Sequence, residues 1–246
     1  MRLDQYLAQS GLLTSRSEAK TMITEGAVYV DGRQVTKPSF DISGVEDKVS
    51  VDLSKKEYVS RGGVKLKGAL TAFGISVEGR KCLDIGASSG GFTDCLLKHG
   101  ALHVIAVDSG VGQLVQSIAN DKRVTVKEHY NARYMKKEDF EYLPSLVVMD
   151  VSFISATYII PSIAEVTEEG AEFVCLIKPQ FEVGKSGLGK GGIVKNSKLR
   201  DEAVKKVEKY GVECGFLHVK TVESSIVGGD GNVEYLAHFK KLAKTI

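Results

Sequence analysis

The chain has 246 residues, a formal net charge of +2 and 43% hydrophobic residues, which suits one large domain or a medium-sized domain with a small appendage. No apolar stretch approaches the roughly 20 residues that a membrane span needs, and the N-terminus lacks the layout of a signal peptide. We therefore predict a cytoplasmic protein without a membrane partner. The small net charge does not by itself indicate a nucleic-acid partner.

The cysteines indicate neither a metal site nor a disulfide framework. They stand singly within apolar segments and form no Cys-x-x-Cys pair: Cys82, Cys95, Cys175 and Cys214. Metal-binding and disulfide-rich proteins usually place cysteines at short, regular spacings. We predict reduced, buried thiols and no bound metal.

The first sixty residues predict a separate unit. A helical pattern covers residues 3–12, and Ser15-Arg16-Ser17-Glu18 has the spacing of a capping box that begins a second helix. Arg16 and Lys20 are four residues apart and so project from one helix face. Residues 28–35 alternate around an Asp-Gly turn, which predicts a β-hairpin. On charge alone, ordinary solvated residues explain this unit as well as RNA binding does.

The order of these residues is more specific than their charge. Arg2-Leu3-Asp4-x-Tyr6-Leu7, then Ser15-Arg16-Ser17-x-Ala19-Lys20 and Gly26-x-Val28-x-Val30-Asp31-Gly32, resemble the small RNA-binding module shared by a small-subunit ribosomal protein, tyrosyl-tRNA synthetases and many pseudouridine synthases. The resemblance implies that Arg2, Arg16 and Lys20 face structured RNA and contact its phosphates. We assign residues 1–58 to this module and residues 59–63 to a linker.

Residues 64–246 predict an α/β domain, because strand and helix patterns alternate along them. Strands are expected over residues 81–85, 102–107, 124–127, 146–149 and 172–177, with a closing strand pair over 212–222 and 233–239. Helices are expected over residues 64–73, 91–99, 113–120, 157–166 and 197–210. This alternation implies a mostly parallel, Rossmann-like sheet of seven strands with helices on both faces and ligands at the carboxyl ends of the strands.

The first strand of this domain leads into a loop of small residues, Asp84-Ile85-Gly86-Ala87-Ser88-Ser89-Gly90-Gly91-Phe92. Small residues before a helix N-terminus allow a ligand to approach the backbone. The spacing is not that of dinucleotide enzymes, and Asp84 would repel a pyrophosphate but suit an ammonium group. Asp108, after the next strand, can accept hydrogen bonds from a ribose. These features favour S-adenosylmethionine as cofactor; a structural turn or a dinucleotide site is the alternative.

A second glycine-rich stretch, residues 184–192, does not have the spacing of a phosphate-binding P-loop. A Walker motif that ended in Lys185-Ser186 would need glycine where Pro179 stands. The stretch predicts either a basic loop near the substrate or an inert surface loop.

Four charged residues at the edges of predicted elements suggest proton transfer: Lys65, Asp150, Lys178 and Glu234. Asp150 and Lys178 follow neighbouring strands and are expected to face the same crevice. The acceptor would be a ribose hydroxyl, because base methylation usually uses a cysteine nucleophile or an Asn-Pro-Pro-aromatic strand end, and Asp150-Val151-Ser152-Phe153 is neither. Two surface ion pairs are the alternative explanation.

The arrangement resembles FtsJ-like ribose 2′-O-methyltransferases, whose Lys-Asp-Lys-Glu tetrad would fall on these four residues. With the N-terminal module it is similar to the TlyA-type family. Further matching strings are Ser60-Arg61-Gly62-Gly63-x-Lys65-Leu66, Asn131-Ala132-Arg133, Ile177-Lys178-Pro179-Gln180-Phe181-Glu182 and Gly231-Asn232-x-Glu234. Val111 and Ser225 depart from the family, which commonly has an aromatic residue and proline there.

The resemblance implies methylation of cytidine 2′-hydroxyls in ribosomal RNA or ribosomal subunits. Lys178 would accept the proton, Lys65 and Asp150 would orient the hydroxyl, and Glu234 would fix a lysine or the hydroxyl. Arg61 would join the RNA-binding residues. The residues implied to hold S-adenosylmethionine are Asp84, Gly86, Ala87, Ser88, Gly90, Gly91, Phe92, Asp108, Asn131 and Asp150.

Two other classes of function stay open at this point. Members of the family are often called haemolysins, although the sequence has no strongly basic amphipathic helix typical of membrane-active proteins. The chain would otherwise be an RNA-binding protein with an inactive methyltransferase fold. The sequence does not specify an oligomeric state.

Overall fold

The computed structural model describes residues 1–13 and 15–243. The chain divides into two compact units, Met1–Arg61 and Gly62–Ile246. None of the helices in the described part of the chain has the length and apolar character needed to cross a bilayer.

The first unit contains two helices and a small antiparallel sheet. The helices are α1 (Leu3–Gln9) and α2 (Arg16–Thr24), and the strands β1 (Val28–Val30), β2 (Arg33–Gln34) and β3 (Val49–Val51) lie in the order β2-β1-β3. Ser15 caps α2, because its side chain accepts a hydrogen bond from the Glu18 amide at 3.1 Å. The cap and the hairpin agree with the sequence prediction, whereas β3 was not predicted.

The first helix is shorter than predicted because its last predicted residues do not pack. Leu12 is 42% exposed, and Gly11 has a φ of +75° that ends helical geometry. The unit nevertheless has its own core, which includes Leu3, Leu7, Ala19, Met22, Ile23, Val28 and Ile42.

The second unit is built on a seven-stranded mixed sheet in the order β6-β5-β4-β7-β8-β10-β9. Its strands are β4 (Lys81–Ile85), β5 (His103–Val107), β6 (Val124–Lys127), β7 (Leu146–Met149), β8 (Glu172–Ile177), β9 (Phe216–Glu223) and β10 (Tyr235–Lys241). Its helices are α3 (Arg61–Phe73), α4 (Gly91–Lys98), α5 (Gln116–Ala119), α6 (Ile160–Val166), α7 (Pro179–Glu182) and α8 (Ser197–Glu213). Strands β4 to β8 are parallel, and β10 is antiparallel to both of its neighbours.

Helices cover both faces of this sheet, as two adjacent residues of β10 show. The ring of His238 stacks on Phe73 of α3, with 5.2 Å between ring centroids. A Cβ added to Gly211 of α8 would lie 2.5 Å from the ring of Phe239. Because neighbouring strand residues point to opposite faces, α3 and α8 lie on opposite sides. The predicted architecture is confirmed.

Several element boundaries differ from the predictions. Helix α3 begins at Arg61 rather than Val64, so the last three residues of the predicted linker are helical. Helix α8 continues to Glu213, because the left-handed glycine that ends it is Gly215, with a φ of +86°. The predicted strand from residue 212 therefore starts at residue 216, and α5 covers only four of the eight residues predicted as helix.

Candidate active site

The four predicted catalytic residues converge on one edge of the large sheet. Asp150 follows β7 and Lys178 follows β8, at the carboxyl ends of parallel strands. Strand β10 is antiparallel to β8, with Tyr235 opposite Ile177, so that Glu234 precedes β10 at this same edge. The strand order thus brings together residues that are distant in the sequence.

A buried ion pair joins Lys65 of α3 to Glu234. Lys65 Nζ lies 2.5 Å from Glu234 Oε2, and the two side chains are only 9% and 3% exposed. Gly228 packs against this carboxylate, since an added Cβ would lie 2.6 Å from Glu234 Oε1. Loss of either charged partner would leave a buried charge unpaired, which is strongly destabilising. This pair is therefore structural as well as a candidate part of the catalytic site.

A second ion pair joins Lys178 to Asp150. Lys178 Nζ lies 2.5 Å from Asp150 Oδ1, as an ionic contact rather than an aligned hydrogen bond. The ammonium group also donates a hydrogen bond to Ser152 Oγ at 2.8 Å. The side chains of Lys178 and Asp150 are 12% and 21% exposed, so these are not the surface ion pairs of the alternative explanation.

Asp84, in β4, is a fully buried carboxyl group with one unsatisfied oxygen. Thr93 Oγ1 donates a hydrogen bond to Asp84 Oδ2 at 2.6 Å, whereas Oδ1 is buried with no hydrogen-bond donor in the described structure. Burial raises the pKa of Asp84 to about 7; the Thr93 hydrogen bond opposes this shift, and the charges of Asp150 and Asp108 add to it. Such an oxygen fits a ligand that supplies a positive hydrogen-bond donor.

The glycine-rich loop after β4 lies directly against the end of β7. Gly86 has a φ of +82°, and a Cβ there would lie 2.3 Å from the backbone oxygen of Asp150. Asp108 fixes the neighbouring loops, since its carboxylate accepts hydrogen bonds from the amides of Ser88 at 2.8 Å and Gly110 at 2.7 Å. A carboxylate has room for further donors, so Asp108 can still receive ribose hydroxyls.

A cavity of about 470 Å³ lies at this edge of the sheet, which is within the usual range for small-molecule sites. Five of the predicted cofactor residues line it: Gly86, Ser88, Asp108, Asn131 and Asp150. Ser152 lines it as well. Asp84 is buried and does not reach its lining, and neither do Ala87, Gly90, Gly91 and Phe92.

A larger cavity, of about 650 Å³, lies at the opposite edge of the sheet. It is lined by Leu143, Thr167 and Glu168, beside the amino end of β8, and by none of the predicted site residues. Because the chemistry lies at the carboxyl ends of the strands, its size does not make it the candidate active site.

Both units match known protein families. Residues 58–241 match the FtsJ-like methyltransferase family, and residues 1–49 match the S4 domain. The chain belongs to the FtsJ-like methyltransferase family.

Relatives of this FtsJ-like methyltransferase share both units. It is 47% identical over 240 residues to Hemolysin A of Brachyspira hyodysenteriae, covering 97% of this chain and 99% of that protein. It is 44% identical over 234 residues to the 16S/23S rRNA (cytidine-2'-O)-methyltransferase TlyA of Mycobacterium tuberculosis, covering 95% and 87%. A solved structure from Streptococcus thermophilus superimposes with a TM-score of 0.78 at 41% identity, covering 98% and 88% of the chains.

In the S4 domain of this FtsJ-like methyltransferase, Arg2 and Arg16 share one buried carboxylate. Their Nε atoms each lie 2.9 Å from an oxygen of Asp4, while the arginine side chains stay 47% and 52% exposed. Burial opposes ionisation, but the hydrogen bonds from both arginines outweigh it and lower the pKa of Asp4. Lys20 is exposed one turn after Arg16 on α2, whereas Arg61 is half-buried at the start of α3.

Sequence reasoning did not single out several organising residues. One is Asp4, which is buried and contacts both Arg2 and Arg16. Another is Ser152, two residues after Asp150, which accepts the hydrogen bond from Lys178. Glu182 is a buried acceptor for Ser155 Oγ at 2.6 Å. The loops that follow the neighbouring strands β7 and β8 are rich in polar residues, and this feature of the sequence could have indicated Ser152 and Glu182.

Proposed function

We propose that this protein transfers a methyl group from S-adenosylmethionine to a ribose 2′-hydroxyl of ribosomal RNA, with cytidine as the modified nucleotide. The Lys178–Asp150 pair beside the cavity carries this proposal. Membership of the FtsJ-like family, the S4 domain and the name of the Mycobacterium tuberculosis relative support it. A cytoplasmic location would follow from such a substrate.

Residues of the cavity lining, together with Asp84 next to the lining residue Ile85, fit the proposed cofactor. The unsatisfied Asp84 Oδ1 suits an amino-acid ammonium group, and Asp108 suits ribose hydroxyls. Gly86 has no side chain, so the loop can pass close to the end of β7. When bound, S-adenosylmethionine would supply an electrophilic methyl group.

Lys178 is the proposed proton acceptor for the ribose hydroxyl. A lysine accepts a proton only as the neutral amine, so Lys178 would have to be neutral when the hydroxyl attacks. Asp150 and Ser152 would hold the lysine Nζ beside the hydroxyl, since their oxygens lie 2.5 and 2.8 Å from it. Lys65 and Glu234 would orient the hydroxyl from the opposite side of β8.

The S4 domain is proposed to bind the RNA rather than to take part in the chemistry. Arg2 and Arg16 keep about half of their side-chain surface exposed although both contact Asp4. The shared carboxylate holds the two guanidinium groups together, which suits phosphate contacts on structured RNA. Lys20 would extend this surface by one helical turn.

The replacement Lys178→Ala tests the catalytic assignment. We expect it to fold and to bind S-adenosylmethionine, but to lose ribose methylation by a factor of roughly 10² to 10⁴, the usual contribution of a positioned acid or base. The measurement uses methyl-labelled S-adenosylmethionine and separated ribosomal subunits that lack the modification, followed by mapping of the label to base or ribose.

The matched control is Lys209→Ala, which removes an exposed lysine whose Nζ lies 3.7 Å from Glu213. It should methylate like the unmodified protein. Label on a base, or substantial ribose transfer by Lys178→Ala, would contradict the assignment. Release of dye from pure liposomes without any methyl transfer would instead favour the haemolysin alternative.

A further inference from the structure

Two chain segments carry the proposed catalytic pair, and they are joined at more than one point. The segments are the loop after β7, residues 150–156, and the stretch after β8, residues 178–182. The first junction is the 2.5 Å contact between Lys178 and Asp150. Because this contact joins only the first residue of each segment, it cannot by itself fix the rest of the two segments.

The loop has an unfavourable backbone conformation at its middle. Phe153 has a φ of +66°, a region that costs energy for residues other than glycine. Phe153 is 91% exposed, so burial does not offset that cost. Its aromatic neighbour is Phe181, at 5.2 Å between ring centroids. The loop therefore needs other fixed contacts to keep this conformation.

Glu182 provides those contacts. Its side chain is only 2% exposed, and its Oε2 accepts hydrogen bonds from Ser155 Oγ at 2.6 Å and Lys206 Nζ at 2.9 Å. Its Oε1 accepts a hydrogen bond from the amide of Ala156 at 2.7 Å. One buried carboxylate therefore joins the loop after β7, the segment after β8 and helix α8.

We propose that Glu182 is a positioning residue for methyl transfer: it fixes residues 150–156 against residues 178–182 and so holds Lys178 and Asp150 in reacting geometry. This inference rests on the proposed function. Glu182 lies at the opposite end of its segment from Lys178, so it joins the parts of the two segments that the Lys178–Asp150 contact does not reach. It acts through these residues and does not contact the substrate.

The replacement Glu182→Gln in the full chain tests this role. It preserves the side-chain shape but removes the charge. It also replaces one acceptor oxygen by an NH2 group, which would face a hydrogen-bond donor. We expect kcat to fall roughly tenfold or more, because small misplacements of reacting groups are costly. The KM values for ribosomal subunits and for S-adenosylmethionine should not change.

The matched control is Glu172→Gln. Glu172 is the first residue of β8, and its carboxylate lies 2.5 Å from Arg80 at the far edge of the sheet. Loss of this ion pair should lower the unfolding temperature without changing kcat. If Glu182→Gln also lowers only the unfolding temperature and leaves kcat unchanged, the positioning role is overturned.

A second readout does not depend on activity. In protein labelled with ¹³C-lysine, the NMR signal of Lys178 is identified by its loss in Lys178→Ala. Its chemical shift should change in Glu182→Gln, because the lysine is displaced relative to Asp150, and should stay unchanged in Glu172→Gln. An unchanged Lys178 signal in Glu182→Gln would contradict the positioning role. This result can be obtained whether or not the unmodified protein methylates RNA. Absence of methyl transfer by the unmodified protein would instead refute the proposed function. If Glu182→Gln does not fold, Ser155→Ala replaces it, because this variant removes only the Ser155–Glu182 hydrogen bond. Its kcat and its Lys178 signal are then measured, and an unchanged value of both would overturn the positioning role.

Discussion

At the scale of single residues, the proposed role of Asp84 would link folding to cofactor binding. Burial raises its pKa from the 3.8 of an exposed aspartate to about 7, so the fold favours the neutral carboxyl group. The resulting stability is fully present below pH 3.8 and is lost as the pH rises through about 7. Above that pH the folded protein contains a buried carboxylate with one unsatisfied oxygen.

We predict that Asp84→Asn is more stable than the unmodified protein at pH 8 and binds S-adenosylmethionine more weakly. The stability gain should shrink as the pH falls to 4, because the buried carboxyl group is then neutral. The pKa difference corresponds to at most about 4 kcal/mol. Urea unfolding at both pH values and calorimetric titration of the cofactor measure the two effects.

Asp121→Asn is the control, because the pKa of Asp121 is shifted in the opposite direction to that of Asp84. The hydrogen bond from Arg123 is the main cause that lowers the pKa of Asp121 to about 2. The contribution of Asp121 to the free energy of unfolding is therefore present above pH 3.8, the ordinary pKa of an aspartate, and is lost as the pH falls towards 2. This replacement should destabilise the protein at pH 8 and leave cofactor binding unchanged. Equal pH dependence of the two variants would refute the assignment to Asp84.

At the scale of elements, the contact between the loop after β4 and the end of β7 shapes the site. We predict that Gly86→Ala abolishes methyl transfer and destabilises the fold. The new Cβ would lie 2.3 Å from the Asp150 backbone oxygen, and the positive φ adds roughly 1 to 2 kcal/mol of strain. Thermal unfolding and the methyl-transfer assay measure both effects.

Gly79→Ala separates backbone strain from the contact. Gly79 has a φ of +69°, but nothing lies within 4 Å of the position of its Cβ. This variant should lose only the stability due to strain and should stay active. If Gly79→Ala and Gly86→Ala behave alike, close packing against β7 is not what the site requires.

The sequence predicts some elements better than others, for physical reasons. Residues 146–149 and 173–177 are short apolar runs, and residues 124–127 alternate valine with polar residues. The predicted limits 124–127, 146–149 and 172–177 match β6, β7 and β8. Strand β3 has only three residues, too few to show an alternating pattern. The end of α8 was misplaced because Gly211 and Gly215 both resemble helix stops, and only Gly215 has the left-handed conformation.

In the candidate site, some residues could be predicted from the sequence and others could not. Charges at strand ends could be predicted, because the sheet topology alone brings Asp150 and Lys178 to one edge. The contacts of Glu182 with Ser155 and Lys206 could not be predicted. They join residues 24 and 27 positions apart through loop conformations, and no periodic pattern specifies these conformations.

At the scale of the whole molecule, charge does not explain RNA binding, because 33 basic residues nearly balance 31 acidic ones. We propose that affinity for RNA comes from local groups such as the arginines around Asp4. In Arg16→Ala, Arg2 still donates two hydrogen bonds to Asp4, at 2.9 and 3.2 Å. The buried carboxylate therefore keeps a partner, and the variant is expected to fold.

We predict that Arg16→Ala weakens binding to ribosomal RNA and reduces the slope of log affinity against log salt by about 0.9, the value for one phosphate contact in duplex DNA. Cofactor affinity should not change, because the cofactor residues belong to the other unit. Filter binding over a salt series measures the slope. Lys48→Ala is the control, since Lys48 is a basic residue of the same unit that lies 3.4 Å from Asp31 and is not predicted to contact RNA. An unchanged slope in Arg16→Ala, or an equal loss in Lys48→Ala, would show that bulk charge rather than the Asp4 cluster binds the RNA.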